Sequence, residues 1–353
     1  MRIFEEVYKS LQNNLPFVVY KKPNARQIKS FFQQNDELFL SEDFNESGFV
    51  FAPFDNKKPT ILIPENKAEV ITEELSGINT FNFSQKNETV LNVNDEIKKS
   101  HVDLVKSGVE AIADGNFKKV VLSRCETVKT KGFYVVKSLQ KMMQTYSNAF
   151  VYLWFHPKVG MWMGATPETL LDFENNVFKT MSLAGTQLYK EGEEIDWGAK
   201  ELDEQQLVTD YIIEKLKEVS FDLNVAAQET FKIGSLLHLR TKITGKALAS
   251  NIKDVVKVLH PTPAVCGYPA EVAKEFIQKN ENYDRAYYTG FLGELNLKVG
   301  ENTNSSLFVN LRCMQIKENE ALVYVGGGIT LSSNPEKEWE ETVIKSRAMK
   351  SML

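Results

Sequence analysis

Residues 311–353, LRCMQIKENEALVYVGGGITLSSNPEKEWEETVIKSRAMKSML, read as two strands, a glycine turn and a helix. Residues 308–316 are rich in β-branched and apolar types, and 321–325 form a second short run after a charged turn. Gly326, Gly327 and Gly328 then let the backbone approach a ligand closely and leave amide N–H groups open to an anion. Asn334 has the chemistry of an N-cap, Pro335 suits the first helical position, and acidic residues fill the first turn.

On that helix Glu338, Glu341 and Lys345 are spaced three and four apart and share one face. Arg312, turned the same way, adds a fixed cation. Carboxylates for a hard metal, a glycine turn, an arginine and a lysine together describe a site for an anionic, Mg²⁺-bound substrate. Taken alone, the same residues also suit a solvated helix with i,i+4 ion pairs.

Outward from this stretch, strands cluster in groups with helices between them. Residues 95–113 carry Ile97, Val102, Val105, Val109 and Ile112 at helical spacing and end near Gly115. Strand-like runs follow at 119–127, 149–156, 161–165 and 177–183. Residues 197–219 read as a long helix, 255–259 and 271–278 as shorter ones, and 286–297 as a strand. Residues 1–95 alternate short apolar runs at 17–20, 48–53 and 60–63 with polar turns, and hold no chemical motif; 82–94 reads as a polar connector. No repeat is visible and the βαβ rhythm of a parallel sheet is absent, so an α+β fold with largely antiparallel sheets is expected.

The 353 residues can bury a sizeable core, and 42% hydrophobic with 25% charged residues is ordinary for a globular chain. Acidic residues outnumber basic ones by 47 to 42, so no global charge draws the chain to nucleic acid or an anionic membrane. No apolar run approaches the roughly 20 residues of a membrane span, and MRIFEEVYKS lacks a signal-peptide pattern. Cys125, Cys266 and Cys313 are widely spaced and form no zinc pattern, which reads as reduced core residues of a cytoplasmic protein.

Six further stretches carry chemistry. In FKKVVLSR (117–124), Lys119 at the mouth of a buried strand is either a snorkelling residue or, if desolvated, a general base. In GATPETLL (164–171), Thr166 and Pro167 suit a helix start that puts Glu168 in its first turn. A helix dipole there would lower the Glu168 pKa, so a general-acid role requires burial to dominate. SLAGT (182–186) runs a strand into Gly185 and the hydroxyl of Thr186. KELDEQQLV (200–208) spaces Glu201 and Glu204 as Glu338 and Glu341 are spaced, so two facing helices would put four carboxylates around one cation. HPTPAVCG (260–267) and YDRAYYTGFLGE (283–294) complete the set.

In this order the stretches resemble the chorismate-utilising enzymes, which include isochorismate, salicylate, anthranilate and aminodeoxychorismate synthases. The resemblance runs from about Phe117 to the C-terminus and is silent on the N-terminal third. It implies a single domain over 1–353, a sandwich of two mainly antiparallel sheets surrounded by helices, with 1–95 as its motif-free portion and 96–353 as the catalytic portion. It implies Glu204 and Glu341 as direct Mg²⁺ ligands, with Glu201 and Glu338 holding metal-bound waters. Arg312, Gly326 and Lys345 would bind substrate carboxylates, with Gly185, Thr186 and Ala264 lining the pocket and His260 beside the ring. Gln205 departs from the histidine that many members carry there.

Within the family the reactions differ in the nucleophile. Ala184 stands where the aminodeoxychorismate synthases resembling this chain carry a lysine nucleophile, and Lys119 where anthranilate synthases carry a glutamine. Water needs a base where ammonia does not, so Lys119 with Glu168 on the opposite ring face fits attack by water at C2 and protonation of the leaving C4 hydroxyl. The resemblance thus implies isochorismate synthase activity, in menaquinone or siderophore biosynthesis, by a monomer with no glutaminase subunit. Salicylate synthase is the alternative, then anthranilate synthase component I, and outside enzymes a catalytically inactive chorismate- or metal-binding relative. Tyr288 and Leu311 suit both, whereas Tyr324 is not the glutamine of salicylate synthases.

Overall fold

The computed structural model describes residues 1–75, 95–130, 132–189, 192, 195–233, 236–248 and 252–353. Helix α1 (Arg2–Gln12) precedes strands β1 (Phe17–Lys21), β2 (Gln27–Gln33), β3 (Phe39–Ser41), β4 (Gly48–Ala52), β5 (Thr60–Pro64) and β6 (Ala68–Glu74). Helix α2 (Asp95–Ala113) leads to β7 (Lys119–Lys129), α3 (Val135–Thr145), β8 (Phe150–His156), β9 (Gly160–Thr166), β10 (Thr169–Glu174) and β11 (Val177–Leu188). Then come α4 (Ala199–Lys217), β12 (Ser220–Val225), β13 (Glu229–Ile233), β14 (Leu236–Ala247), α5 (Lys253–Leu259), β15 (Gly267–Tyr268) and α6 (Ala270–Asn280). Strands β16 (Phe291–Val299), β17 (Asn302–Val309), β18 (Cys313–Ile316) and β19 (Glu320–Ile329) precede helix α7 (Pro335–Lys350). The 82–94 connector lies outside the described residues.

Two sheets result, in the orders β15-β7-β19-β18-β9-β8-β1-β2-β6 and β12-β14-β11-β10-β17-β16-β4-β5-β3, with β13 also on β14. Every pairing among the described residues is antiparallel, as the α+β reading expected. Strand alternation sorts the core into layers. Val18, Tyr20, Tyr152 and Trp154 point between the sheets into an aromatic layer with Phe49, Phe51, Trp162 and Phe308. Phe17, Val19, Val151 and Leu153 point the other way, onto Ile3, Val7, Leu139 and Met142 of α1 and α3. Helices α4 and α5 cover the second sheet through Val208, Ile212, Leu216, Val255 and Leu259. The N-terminal strands enter both sheets, β1 beside β8 and β4 beside β16.

Three local expectations are corrected. Residues 308–316 are not one strand. At Asn310–Leu311–Arg312 the chain leaves the second sheet for the first, with Arg312 at φ 46° and the Asn310 side chain accepting from Tyr152 Oη at 2.6 Å. Gly326, Gly327 and Gly328 are not a turn but lie within β19, opposite Ser123, Leu122 and Val121 of β7. Thr166 and Pro167 start no helix; β9 ends at Thr166 and β10 begins at Thr169, leaving Pro167 and Glu168 as a two-residue corner. In addition, the strand expected from 286 begins only at Phe291, because Ala286 and Thr289 take positive φ in a preceding turn. The helix at the chain's end forms as read, with Asn334 Oδ1 accepting from the amides of Glu336 and Lys337 at 3.1 Å each.

Candidate active site

A cleft opens between strands of both sheets beneath α4 and α7. Its walls are Val121 of β7, residues 324–328 of β19, residues 183–186 of β11, His238 of β14, and the Pro167–Glu168 corner. Lys119 opens β7 with no exposed surface, and its Nζ lies 2.8 Å from Glu204 Oε1. Strand β19 makes room for this pair by having no side chain there. A Cβ on Gly328 would lie 2.3 Å from Glu204 Oε1 and 3.0 Å from Lys119 Cε.

Opposite, Gly185 at φ +69° forms an irregular step between Ala184 and Thr186, where β11 slips register against β14. The step turns the Gly185 carbonyl to His238 Nδ1, 3.1 Å away, while Arg312 Nη2 stands 2.7 Å from His238 Nε2. Burial first, then Arg312 and Lys345, push the His238 pKa well below the usual range. A neutral ring fits these contacts: Nδ1–H donates to Gly185, and Nε2 accepts from the guanidinium. Arg312 is thereby aimed.

The carboxylates come from α4 and α7. Lys200 Nζ is 2.7 Å from Glu338 Oε1, and Lys345 Nζ is 2.6 Å from Glu341 Oε1 and 3.1 Å from the Gly326 carbonyl. Arg124 of β7 fixes α7 in place: its Nε donates to Thr342 Oγ1 at 2.9 Å, and its guanidinium lies 4.4 Å from the centre of the Trp339 ring. Behind the cleft, the buried Arg285 donates to Glu281, to the Val121 carbonyl and to the Val265 carbonyl, so the YDRAYYTG and HPTPAVCG loops are tied to β7.

Electrostatics separate the carboxyls. Glu168 is 4% exposed, and burial, against the field of Lys119, raises its pKa to about 8. Burial would also raise Glu204, but Lys119, Lys345 and Lys200 together hold it below the carboxylate range. Glu338 is raised, by burial and by Glu341, despite Lys200.

Among the described residues no three His, Cys, Asp or Glu side chains converge to hold a metal, Glu204, Glu338 and Glu341 each being turned to a lysine. The donors nevertheless suit a hard divalent cation: all are carboxylate oxygens on two helices, and Glu338 Oε2 is buried without a hydrogen-bond partner. A Cβ on Gly327 would sit 3.4 Å from that oxygen and 4.0 Å from Glu341 Oε1, so the strand leaves space there too.

The sequence profile described as "Chorismate binding enzyme" matches residues 57–353. The chain belongs to the chorismate-binding enzyme family. Isochorismate synthase EntC of Escherichia coli strain K12 is 29% identical over 317 residues, covering 84% of this chain and 78% of that protein. Isochorismate synthase MenF of Haemophilus influenzae is 30% identical over 261 residues, covering 71% of this chain and 59% of the relative. Among solved structures, the menaquinone-specific isochorismate synthase MenF of E. coli superposes with a TM-score of 0.77 at 21% identity, covering 96% of this chain and 88% of that one.

In this chorismate-binding enzyme, Glu168, Gly185, Thr186, Glu201, Glu204, Ala264, Arg312, Gly326, Glu341 and Lys345 border one cleft. Lys119 and Glu338 stand just behind its wall. His260 is the exception. It lies in a separate hollow with Phe44 and Lys257, its Nε2 3.0 Å from the Pro53 carbonyl and its ring edge-on to Phe291. Burial depresses its pKa to about 4, and it serves the packing of the loop after α5. The histidine at the cleft is His238, missed in LLHLR because one histidine in an alternating strand looks like any core residue. Lys200 was also missed, though it stands beside Glu201. Gln205 is buried away from the cleft; its Nε2 contacts Ser182, Thr209 and Thr241 hydroxyls within 3.0 Å, tying α4 to β11 and β14.

Proposed function

We propose that the protein is an Mg²⁺-dependent isochorismate synthase, converting chorismate to isochorismate by attack of water at C2 and loss of the C4 hydroxyl. The observation that carries this reading is the Glu168 carboxyl, 4% exposed at the wall of the cleft, where burial raises its pKa to about 8. A proton donor of that kind suits a departing hydroxyl. Ala184 in the same wall offers no amine for a covalent route, and the isochorismate synthases among the relatives carry the same overall resemblance.

Arg312, aimed by His238, and Lys345 supply cations for the two substrate carboxylates. Glu204 and Glu341 would hold Mg²⁺, with Glu201 and Glu338 toward its waters; when bound, the ion supplies Lewis-acid stabilisation of a substrate carboxylate. Lys119 would take the proton from water. Its ion pair with Glu204 sets the condition: the amine serves as a base only when Glu204 has another partner. The test is incubation of the pure protein with chorismate and Mg²⁺, followed by chromatographic separation of isochorismate, salicylate and anthranilate. Isochorismate alone is expected. Salicylate or anthranilate as the main product, or no turnover, would overturn the reading.

A further inference from the structure

Lys200, the second residue of α4, reaches across the cleft to α7 and puts its ammonium 2.7 Å from Glu338 Oε1. The two side chains differ in depth: Lys200 is 30% exposed and Glu338 only 3%. The carboxylate is the fixed member of the pair and the lysine the one with a route to water. Glu338 Oε2 has no hydrogen-bond partner although it is buried, so the lysine satisfies half of the carboxylate and leaves the other half open. A buried charged oxygen left in this way is costly and marks a place for a further ligand. Lys119 and Lys345 hold Glu204 and Glu341, but those lysines are rooted in the wall: Lys119 has no exposed surface, and Lys345 also donates to the Gly326 carbonyl. Among the described residues Lys200 has no second hydrogen-bond or ion-pair anchor.

We propose that Lys200 is a resident counter-cation whose ammonium holds Glu338 until a divalent ion takes that carboxylate, so that metal loading exchanges one cation for another. This rests on the metal reading above and adds to it a residue that opposes the metal. The half-buried pair keeps α4 and α7 together without a metal and sets a threshold that a weakly bound ion fails to cross. A charge-assisted contact of this kind must be given up on loading, so its removal strengthens divalent binding by about tenfold.

The test is calorimetric titration of Mg²⁺ into the full chain without chorismate, for wild type, Lys200→Met and Lys200→Arg. Lys200→Met should bind Mg²⁺ about tenfold more tightly, and Lys200→Arg no more tightly than wild type, because it keeps the cation. Melting temperature gives a second readout. Saturating Mg²⁺ should raise it more in Lys200→Met than in wild type, since the variant leaves Glu338 unpaired until the ion arrives. A merely structural role for Lys200 would weaken binding instead. Equal or weaker Mg²⁺ affinity in Lys200→Met overturns the exchange while the metal site stands. No Mg²⁺ binding in any of the three proteins overturns both.

Discussion

Helices α4 and α7 present the same pair of glutamates at the same spacing, yet the fold treats them in opposite ways. Glu204 meets Lys119 at contact distance, with Lys345 and Lys200 beyond, and is held ionised below the usual range. Glu338 meets one lysine, Lys200, with Ser333 and Glu341 near it, and its pKa is raised by burial. Both are desolvated, so burial does not distinguish them. The count and placement of ammonium groups does. Two carboxylates on facing helices thus sit in different fields, one with its pKa lowered and one with its pKa raised.

The largest effect that should break this comparison is on turnover. Glu204→Gln and Glu341→Gln each remove a proposed metal oxygen, and isochorismate formation should fall by ~10³-fold or more, as should wild type after chelation, with Mg²⁺ restoring only the latter. Full activity of the stripped protein would end the metal assignment. Lys119→Ala, by removing the proposed base, should cost ~10²–10⁴-fold. A second contrast follows in stability. Glu204→Gln leaves the fully buried Lys119 without its counter-charge and should cost about 3–5 kcal/mol in urea unfolding. Glu338→Gln leaves Lys200, which can turn to water, and should cost about 1 kcal/mol or less. Equal losses would mean the two helices are not electrostatically distinct.

Much of this arrangement was legible before the fold was known. The E-x-x-E spacing, the Asn334–Pro335 helix start and the period of 95–113 each depend on contacts within one element, and helix α2 spans Asp95–Ala113 as read. What failed involved neighbours from elsewhere in the chain. Three successive glycines signal a turn locally, but β7 pairs with them, and their lack of side chains serves Glu204 and Glu338 rather than a bend. The apolar run at 308–316 gives no sign that it crosses from one sheet to the other, since both sides of the crossing are buried. His238 and His260 could not be ranked by type; only the step at Gly185 brings one to Arg312. The motif-free N-terminal third contributes core, through Tyr20, Phe49 and Phe51, and packing of that kind carries no short signature.

A smaller effect tests how the cleft's cations are aimed. Arg312→Lys keeps the charge but loses the planar fork and the contact to His238 Nε2, so the KM for chorismate should rise about tenfold with kcat less affected. His238→Asn, which can still accept from Arg312 but cannot reproduce both ring contacts, should fall between wild type and Arg312→Lys. If neither variant moves KM, the guanidinium is not the carboxylate clamp.

A further effect concerns pH, where Glu168 and Glu338 should act together. The Glu168 carboxyl ionises near 4.5 when exposed and at about 8 in the fold. Its contribution to stability is therefore complete below about pH 4.5, declines as pH rises because the unfolded chain releases the proton first, and is gone above about 8. Glu338, also raised, has the same sign. Glu204, lowered, contributes above the ordinary carboxylate range and loses that contribution only in acid, so it is silent between pH 5 and 8. Histidines enter this window with the opposite sign, His260 being depressed to about 4, but they are common to wild type and variant and cancel in the difference. Urea midpoints of wild type and Glu168→Gln at pH 5, 6.5 and 8 isolate the term. The variant has no proton to release, so its stability relative to wild type should improve steadily across the series. The same protonation should govern turnover: wild-type kcat should fall as pH passes about 8, where the acid is lost. A constant difference between the two proteins from pH 5 to 8 would show that Glu168 is ionised in the folded protein, and the carboxyl could not then be the donor to the leaving hydroxyl.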